Sequence, residues 1–181
     1  MTPLSKSIIL IGFKHVGKSA LGYALALRLA KPFIDLDAEI EREFQEQYTC
    51  RQIMHIYGQA YFRDLEKKLL TQVMQADPAI IALGGGTPLD LDNQALIRHH
   101  TVVHVVAPRD LVFARIMKQG RPEFFPAEKP PLETFHQLWD EREAIYKSLA
   151  SVAVENNGLL VSAVEQMLQH LQVNKHVKES L

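Results

Sequence analysis

Cysteine is almost absent from this sequence. Cys50 stands alone, so no internal disulfide is available, and no Cys/His pairs sit at zinc-finger spacing. A chain that does without disulfides fits a reducing compartment. Long apolar runs are missing as well. The first, Ile8 to Ile11, is too short for the core of a secretory signal and leads at once to Lys14 and His15, and no stretch approaches the length of a membrane span. Charge of one sign is also lacking: 20 Lys and Arg face 21 Asp and Glu, which leaves no electrostatic footprint for nucleic acid or an anionic membrane. There are no internal repeats and no low-complexity segments. These absences favour a cytoplasmic protein with neither nucleic-acid nor membrane partner, expected to be a monomer acting on a small molecule.

What is present has the size and composition of one globular unit: 181 residues, 47% hydrophobic and 23% charged. A single domain over 1–181 is expected. Short apolar runs alternate with longer amphipathic ones, which predicts βαβ units and a parallel sheet flanked by helices, an α/β three-layer sandwich. Strands are predicted at Ser7–Ile11, Phe33–Leu36, Ala79–Leu83, Thr101–Ala107 and Val152–Glu155. Helices are predicted at Ser19–Ala30, Arg51–Tyr57, Tyr61–Met74, Leu111–Lys118, Leu132–Leu149 and Ser162–Leu171. The stretch 119–131 carries four prolines and a glycine without periodicity, which marks it as a mobile lid, and the polar tail 174–181 is expected to fray. The histidines beyond the first loop, including His99 and His100, read as surface residues.

Gly12-Phe13-Lys14-His15-Val16-Gly17-Lys18-Ser19 fits the pattern G-x-x-x-x-G-K-[ST] between a predicted strand and a predicted helix. In such a loop the backbone N–H groups and the helix N-terminus form a concavity for phosphate, Lys18 supplies a point charge for the β- and γ-phosphates, and the Ser19 hydroxyl ligates Mg²⁺. Lys14, His15, Val16 and Gly17 complete the candidate nucleotide site. His15 stands where many such loops carry glycine, so its backbone must tolerate the local conformation. Its side chain reads as solvent-facing rather than catalytic.

A phosphate loop implies a nucleotide and leaves the reaction open. Asp35 and Asp37 lie two residues apart at the end of the second strand, so both are expected to project to one side of the sheet at its carboxyl edge. One carboxylate can organise Mg²⁺ while the other orients an acceptor hydroxyl and takes its proton. The competing reading is that Asp37 merely caps the acidic helix that follows. Gly84-Gly85-Gly86 runs on from a strand, which suggests close approach of a ligand to backbone. Arg63 has Glu66 one helical turn on, close enough to orient its guanidinium, and Arg142 lies on the long helix after the lid. Either arginine alone reads as a solvated charge; two converging on one pocket would make a fork for a small carboxylate.

Taken together, Gly12 to Ser19, Phe33-Ile34-Asp35-Leu36-Asp37, Phe62-Arg63 with Glu66, Gly84-Gly85-Gly86, Arg121-Pro122 and Arg142 with Tyr146 make the chain resemble the shikimate kinase family, a nucleoside-monophosphate-kinase-like branch of P-loop folds. The resemblance implies ATP as donor, Mg²⁺ as its metal and shikimate as acceptor, giving shikimate 3-phosphate on the route to chorismate and aromatic amino acids. It implies that Asp37, Arg63, Arg142 and the backbone of Gly84, Gly85 and Gly86 bind shikimate, that Asp35 and Ser19 organise Mg²⁺, that Arg121 swings from the lid onto the phosphates, and that Arg115 lies against the adenine. Lys18, Asp37 and Arg121 would then be the catalytic residues. The chain departs from the family at Gly58-Gln59, where Gly-Glu is usual, and in the lid sequence that follows Arg121-Pro122. Two other readings stay open: a kinase for another polyol acid such as gluconate, and a nucleotide-binding module without turnover.

Overall fold

A computed structural model describes residues 6–118, 120–122 and 125–179, with side chains as far as residue 171. Five strands, β1 (Ile8–Ile11), β2 (Phe33–Asp35), β3 (Ile80–Ala82), β4 (Thr101–Val106) and β5 (Val152–Glu155), form one parallel sheet in the order β2-β3-β1-β4-β5. Ile8 to Ile11 are all buried, as suits a central strand covered on both faces. The register sets Asp35 beside Ala82, Leu10 between Ala82 and Val103, and Val106 beside Glu155, so the ends of all five strands reach one carboxyl edge. Chain order reverses direction across β1, between β3 and β4. A crevice at such a point is where open α/β sheets bind ligands.

The helices are α1 (Lys18–Leu29), α2 (Leu36–Glu43), α3 (Cys50–Tyr57), α4 (Gln59–Gln75), α5 (Leu91–Ile97), α6 (Arg109–Lys118), α7 (Pro131–Leu149) and α8 (Leu160–Glu179). Among the described residues none is long and apolar enough to cross a membrane. On α1, Gly22 lets the helix lie against the sheet: a Cβ there would come within 2.9 Å of Leu10 Cδ1. A reciprocal Thr49–Gln52 capping box opens α3. Along α7, Phe135, Trp139, Arg142 and Tyr146 recur at three- and four-residue steps and so share a face.

Several expectations need correcting. The short α5 was not anticipated. Asp90 caps it by accepting from the amides of Asp92 and Asn93, a local signal that its mixed sequence hides. The last helix runs to Glu179 rather than ending at Leu171, since no Pro or Gly interrupts it before then; Ser180 and Leu181 lie outside the described residues. Of the expected lid, Gln119, Glu123 and Phe124 lie outside them too, and Pro131 already belongs to α7. His104 is not a surface residue. It sits at 4% exposure in β4, its ring 5.3 Å from that of Tyr146, and burial pulls its pKa down to about 4, so it stays neutral.

Candidate active site

The loop between β1 and α1 is the best-formed part of the carboxyl edge. Gly17 has a φ of 97°, a left-handed conformation that favours glycine, and a Cβ there would run into Asn156 Nδ2. His15 adopts φ 64°, the strained backbone its sequence position foretold. Burial, followed by the charges of Lys14, Lys18 and Arg115, lowers the His15 pKa, so its imidazole is neutral. Lys18, 8% exposed, donates from Nζ to the carbonyls of Gly12 and Phe13, both at 2.9 Å. Burial brings its pKa down to about 8 despite the opposing charges of Asp37 and Asp35. Ser19, at the start of α1, is exposed.

Two side chains grip the outside of this loop. Arg115 on α6 donates to the His15 carbonyl at 3.1 Å, and Asn156, just past β5, donates from Nδ2 to the Val16 carbonyl at 2.8 Å. From inside the molecule, Phe13 packs flat on Trp139 with ring centroids 5.1 Å apart and edge-on to Phe135 at 5.4 Å. The Arg142 guanidinium lies 5.2 Å from the centre of the Phe13 ring.

On the acceptor side, Asp35 and Asp37 are not two residues of one strand. Strand β2 ends at Asp35, whose carboxylate accepts from the Asp37 amide at 3.1 Å and caps α2. The helix cap is therefore Asp35, and Asp37 is carried on the first turn of α2. Both carboxylates still act on Lys18. Burial raises the Asp37 pKa to about 6; the charge of Asp35 adds to the rise and that of Lys18 opposes it.

The glycine triplet joins the two sides. A Cβ on Gly84 would lie 2.8 Å from Asp37 Oδ1, one on Gly85 would lie 3.2 Å from the Lys14 amide, and one on Gly86 would collide with the Arg63 guanidinium. The close approach that these glycines permit is thus made by the protein's own groups. Glu66, 1% exposed, accepts from Arg63 Nη1 at 2.7 Å and from the Thr87 hydroxyl at 2.7 Å, which fixes the guanidinium against the triplet. Tyr146 donates to the Gly85 carbonyl at 2.5 Å and also pairs with Arg142, and burial pushes its pKa up to about 12. Burial depresses the Arg142 pKa, and the positive charge of Arg63 depresses it further.

The structure thus brings together Lys14 to Ser19, Asp35, Asp37, Arg63, Gly84 to Gly86 and Arg142. Arg115 joins them through the loop carbonyl. It does not bring in Arg121, whose guanidinium donates to the carbonyls of Phe125, Pro126 and Lys129 within its own loop. Asn156, Thr87 and the Phe13–Trp139 contact escaped the sequence reading. An Asn-Asn-Gly run directly after the last strand was the available sign for the first of them.

A family model described as shikimate kinase matches residues 14–172. The shikimate kinase of Ruegeria pomeroyi is 32% identical over 170 residues, 93% of this chain and 84% of that one. The bifunctional shikimate kinase/3-dehydroquinate synthase of Thermotoga maritima is 32% identical over 139 residues, 77% of this chain and 27% of that longer protein. Among solved structures, the shikimate kinase from Acinetobacter baumannii in complex with shikimate superposes with a TM-score of 0.85 at 27% identity, covering 94% of both chains.

Proposed function

The chain belongs to the shikimate kinase family and is an ATP-dependent shikimate kinase, and from this premise we propose how its own residues divide the reaction. The observation that carries the assignment is the meeting of Asp37 and Arg63 on a glycine triplet that itself packs on the phosphate loop, with Arg142 linked to the same triplet through Tyr146. Two guanidiniums linked to one glycine triplet suit a carboxylate, and a buried carboxylate on the same triplet suits a hydroxyl.

In this reading the triphosphate lies over the amides of Lys14 to Ser19, with Arg115 at the base end. Lys18 leaves the Gly12 and Phe13 carbonyls for the β- and γ-phosphates. Arg63, fixed by Glu66, and Arg142, fixed by Tyr146, hold the shikimate carboxylate and so set the ring's orientation. Asp37 then takes the proton of the attacking hydroxyl, a role suited to a pKa near 6. Arg121 exchanges the carbonyls of Phe125, Pro126 and Lys129 for the transferring phosphoryl group, which completes the charge around it.

The donor set also suits magnesium. Ser19 offers an exposed hydroxyl and Asp35 the carboxylate oxygen not used in capping, while the described residues contain no cluster of three His, Cys, Asp or Glu side chains that would cage a metal by themselves. Mg²⁺ is commonly held by one or two protein oxygens together with phosphates and waters, and when bound it would neutralise phosphate charge. The test is ADP release from ATP and Mg²⁺ with shikimate, with gluconate and with no acceptor. Release that depends on shikimate is the expected result, and equal release with gluconate would overturn the substrate assignment.

A further inference from the structure

The outward face of the phosphate loop has two unrelated holders, and one of them, Asn156, has no part in the chemistry above. A trans peptide sets its C=O and the next N–H on opposite sides. Fixing the His15 carbonyl on Arg115 therefore aims the Val16 amide the other way, and fixing the Val16 carbonyl on Asn156 does the same for the Gly17 amide. These are among the amides the triphosphate needs. Without partners, the two carbonyls would be free to turn inward, and the left-handed His15 would have less to hold it in place.

Asn156 is built for this task. It is 6% exposed, its backbone amide donates to the Val106 carbonyl at 2.7 Å, and its Oδ1 accepts from the Gly158 amide at 3.3 Å. The side chain is thereby fixed on the ends of β4 and β5 with its Nδ2 on the Val16 carbonyl. We propose that Asn156 is a positioning residue that pre-aims the phosphate loop, so that its loss weakens the grip on the polyphosphate while leaving the acceptor site as it was. The inference rests on the reading of Gly12–Ser19 as the nucleotide site.

The test compares Asn156→Ala and Asn156→Ser with the unaltered protein. Serine keeps a hydroxyl for the Gly158 amide but is one bond too short to replace Nδ2 on the Val16 carbonyl. Both variants should raise the KM for ATP about tenfold, the scale of one buried hydrogen bond lost with its acceptor orphaned, with the KM for shikimate moving less than about twofold. The Ki of inorganic tripolyphosphate against ATP should rise by the same factor as the KM, because the loop amides touch phosphate and not base. Three results would overturn the proposal: an unchanged ATP KM, a parallel rise in both substrates' KM, or a tripolyphosphate Ki that stays put while the ATP KM climbs, which would make Asn156 a base contact. A serine variant that behaves like the unaltered protein would assign the effect to the Gly158 turn and overturn it too. Lys18→Ala in the same assays separates the premise: if that variant still turns over, the nucleotide site itself is misassigned.

Discussion

Eight consecutive residues, Gly12 to Ser19, make most of the nucleotide side, whereas the acceptor side draws Asp37, Arg63, Gly84 to Gly86 and Arg142 from four separate segments. The first works through backbone and one buried lysine, and its shape is fixed by neighbours that grip carbonyls. The second works through charged side chains, each held by a buried partner: Arg63 by Glu66 and Arg142 by Tyr146. A backbone site must be stiff to be specific. A side-chain site must be desolvated, and the lowered pKa of Arg142 and raised pKa of Asp37 record the strain of that. Substitutions should therefore part cleanly, with those on one side altering ATP parameters and those on the other altering shikimate parameters.

The largest effect belongs to Lys18, where both sides converge. Lys18→Ala should lower kcat/KM by roughly a thousandfold or more, since the transferring phosphoryl group loses its fixed positive charge, while circular dichroism and Tm report an intact fold. Normal turnover in that variant would break the comparison at its root. Asp37→Asn comes next, with kcat expected to fall on the order of a hundredfold to ten-thousandfold and ATP affinity, read by calorimetry, little changed. The same substitution should raise Tm at neutral pH. Between the ordinary carboxylate value and about 6 the folded chain keeps a proton at Asp37 that the unfolded chain has released, so stability is lost as pH rises through that window, and a neutral amide escapes the loss. A variant that is both slower and less stable would mean that Asp37 is not a desolvated carboxylate.

Arg142→Ala should raise the KM for shikimate by about tenfold to a hundredfold, the worth of a charged hydrogen-bonded contact of roughly 1.5–3 kcal/mol, with the ATP KM nearly constant. A rise in the ATP KM instead would mean that its contact with Phe13 matters more than its charge. The pH profile sharpens the comparison further. In kcat/KM for shikimate an acid limb near 6 should report Asp37, and in kcat/KM for ATP an alkaline limb near 8 should report Lys18 of the nucleotide-free enzyme losing its proton. In kcat the alkaline limb should move upward, because bound phosphates favour the charged lysine.

How much of this was legible in the sequence follows the same division. Gly12 to Ser19 could be read directly because its chemistry is local: strand, loop and helix follow one another, and spacing alone carries the geometry. Arg63 and Glu66 were legible as a pair because one helical turn joins them. The arrangement of Asp35 and Asp37 was misread because the two-residue period of a strand was extended past the point where the cap at Asp35 turns the chain into α2. Arg142 drew its role from family resemblance and Tyr146 had none, since nothing local to α7 says that its face meets Gly85 and Phe13. Asn156 was missed for the same reason: its partner is Val16, far away in the chain, and no spacing encodes that bond.

The lid supplies the smallest expected effect and the finest test. Arg51, at the start of α3, donates to the Arg121 carbonyl at 2.7 Å, which ties the acceptor-side helices to the loop whose guanidinium is turned onto its own carbonyls. The contact is exposed and its donor is a long flexible side chain, so water replaces it at little cost. Arg51→Ala should then change kcat and both KM values by less than about threefold. Arg121→Ala, by contrast, should lower kcat well beyond that if the guanidinium leaves its loop for the phosphoryl group. Equal and small effects from both would leave Arg121 as a brace of its own loop, and catalysis would rest on Lys18, Asp37 and the metal alone.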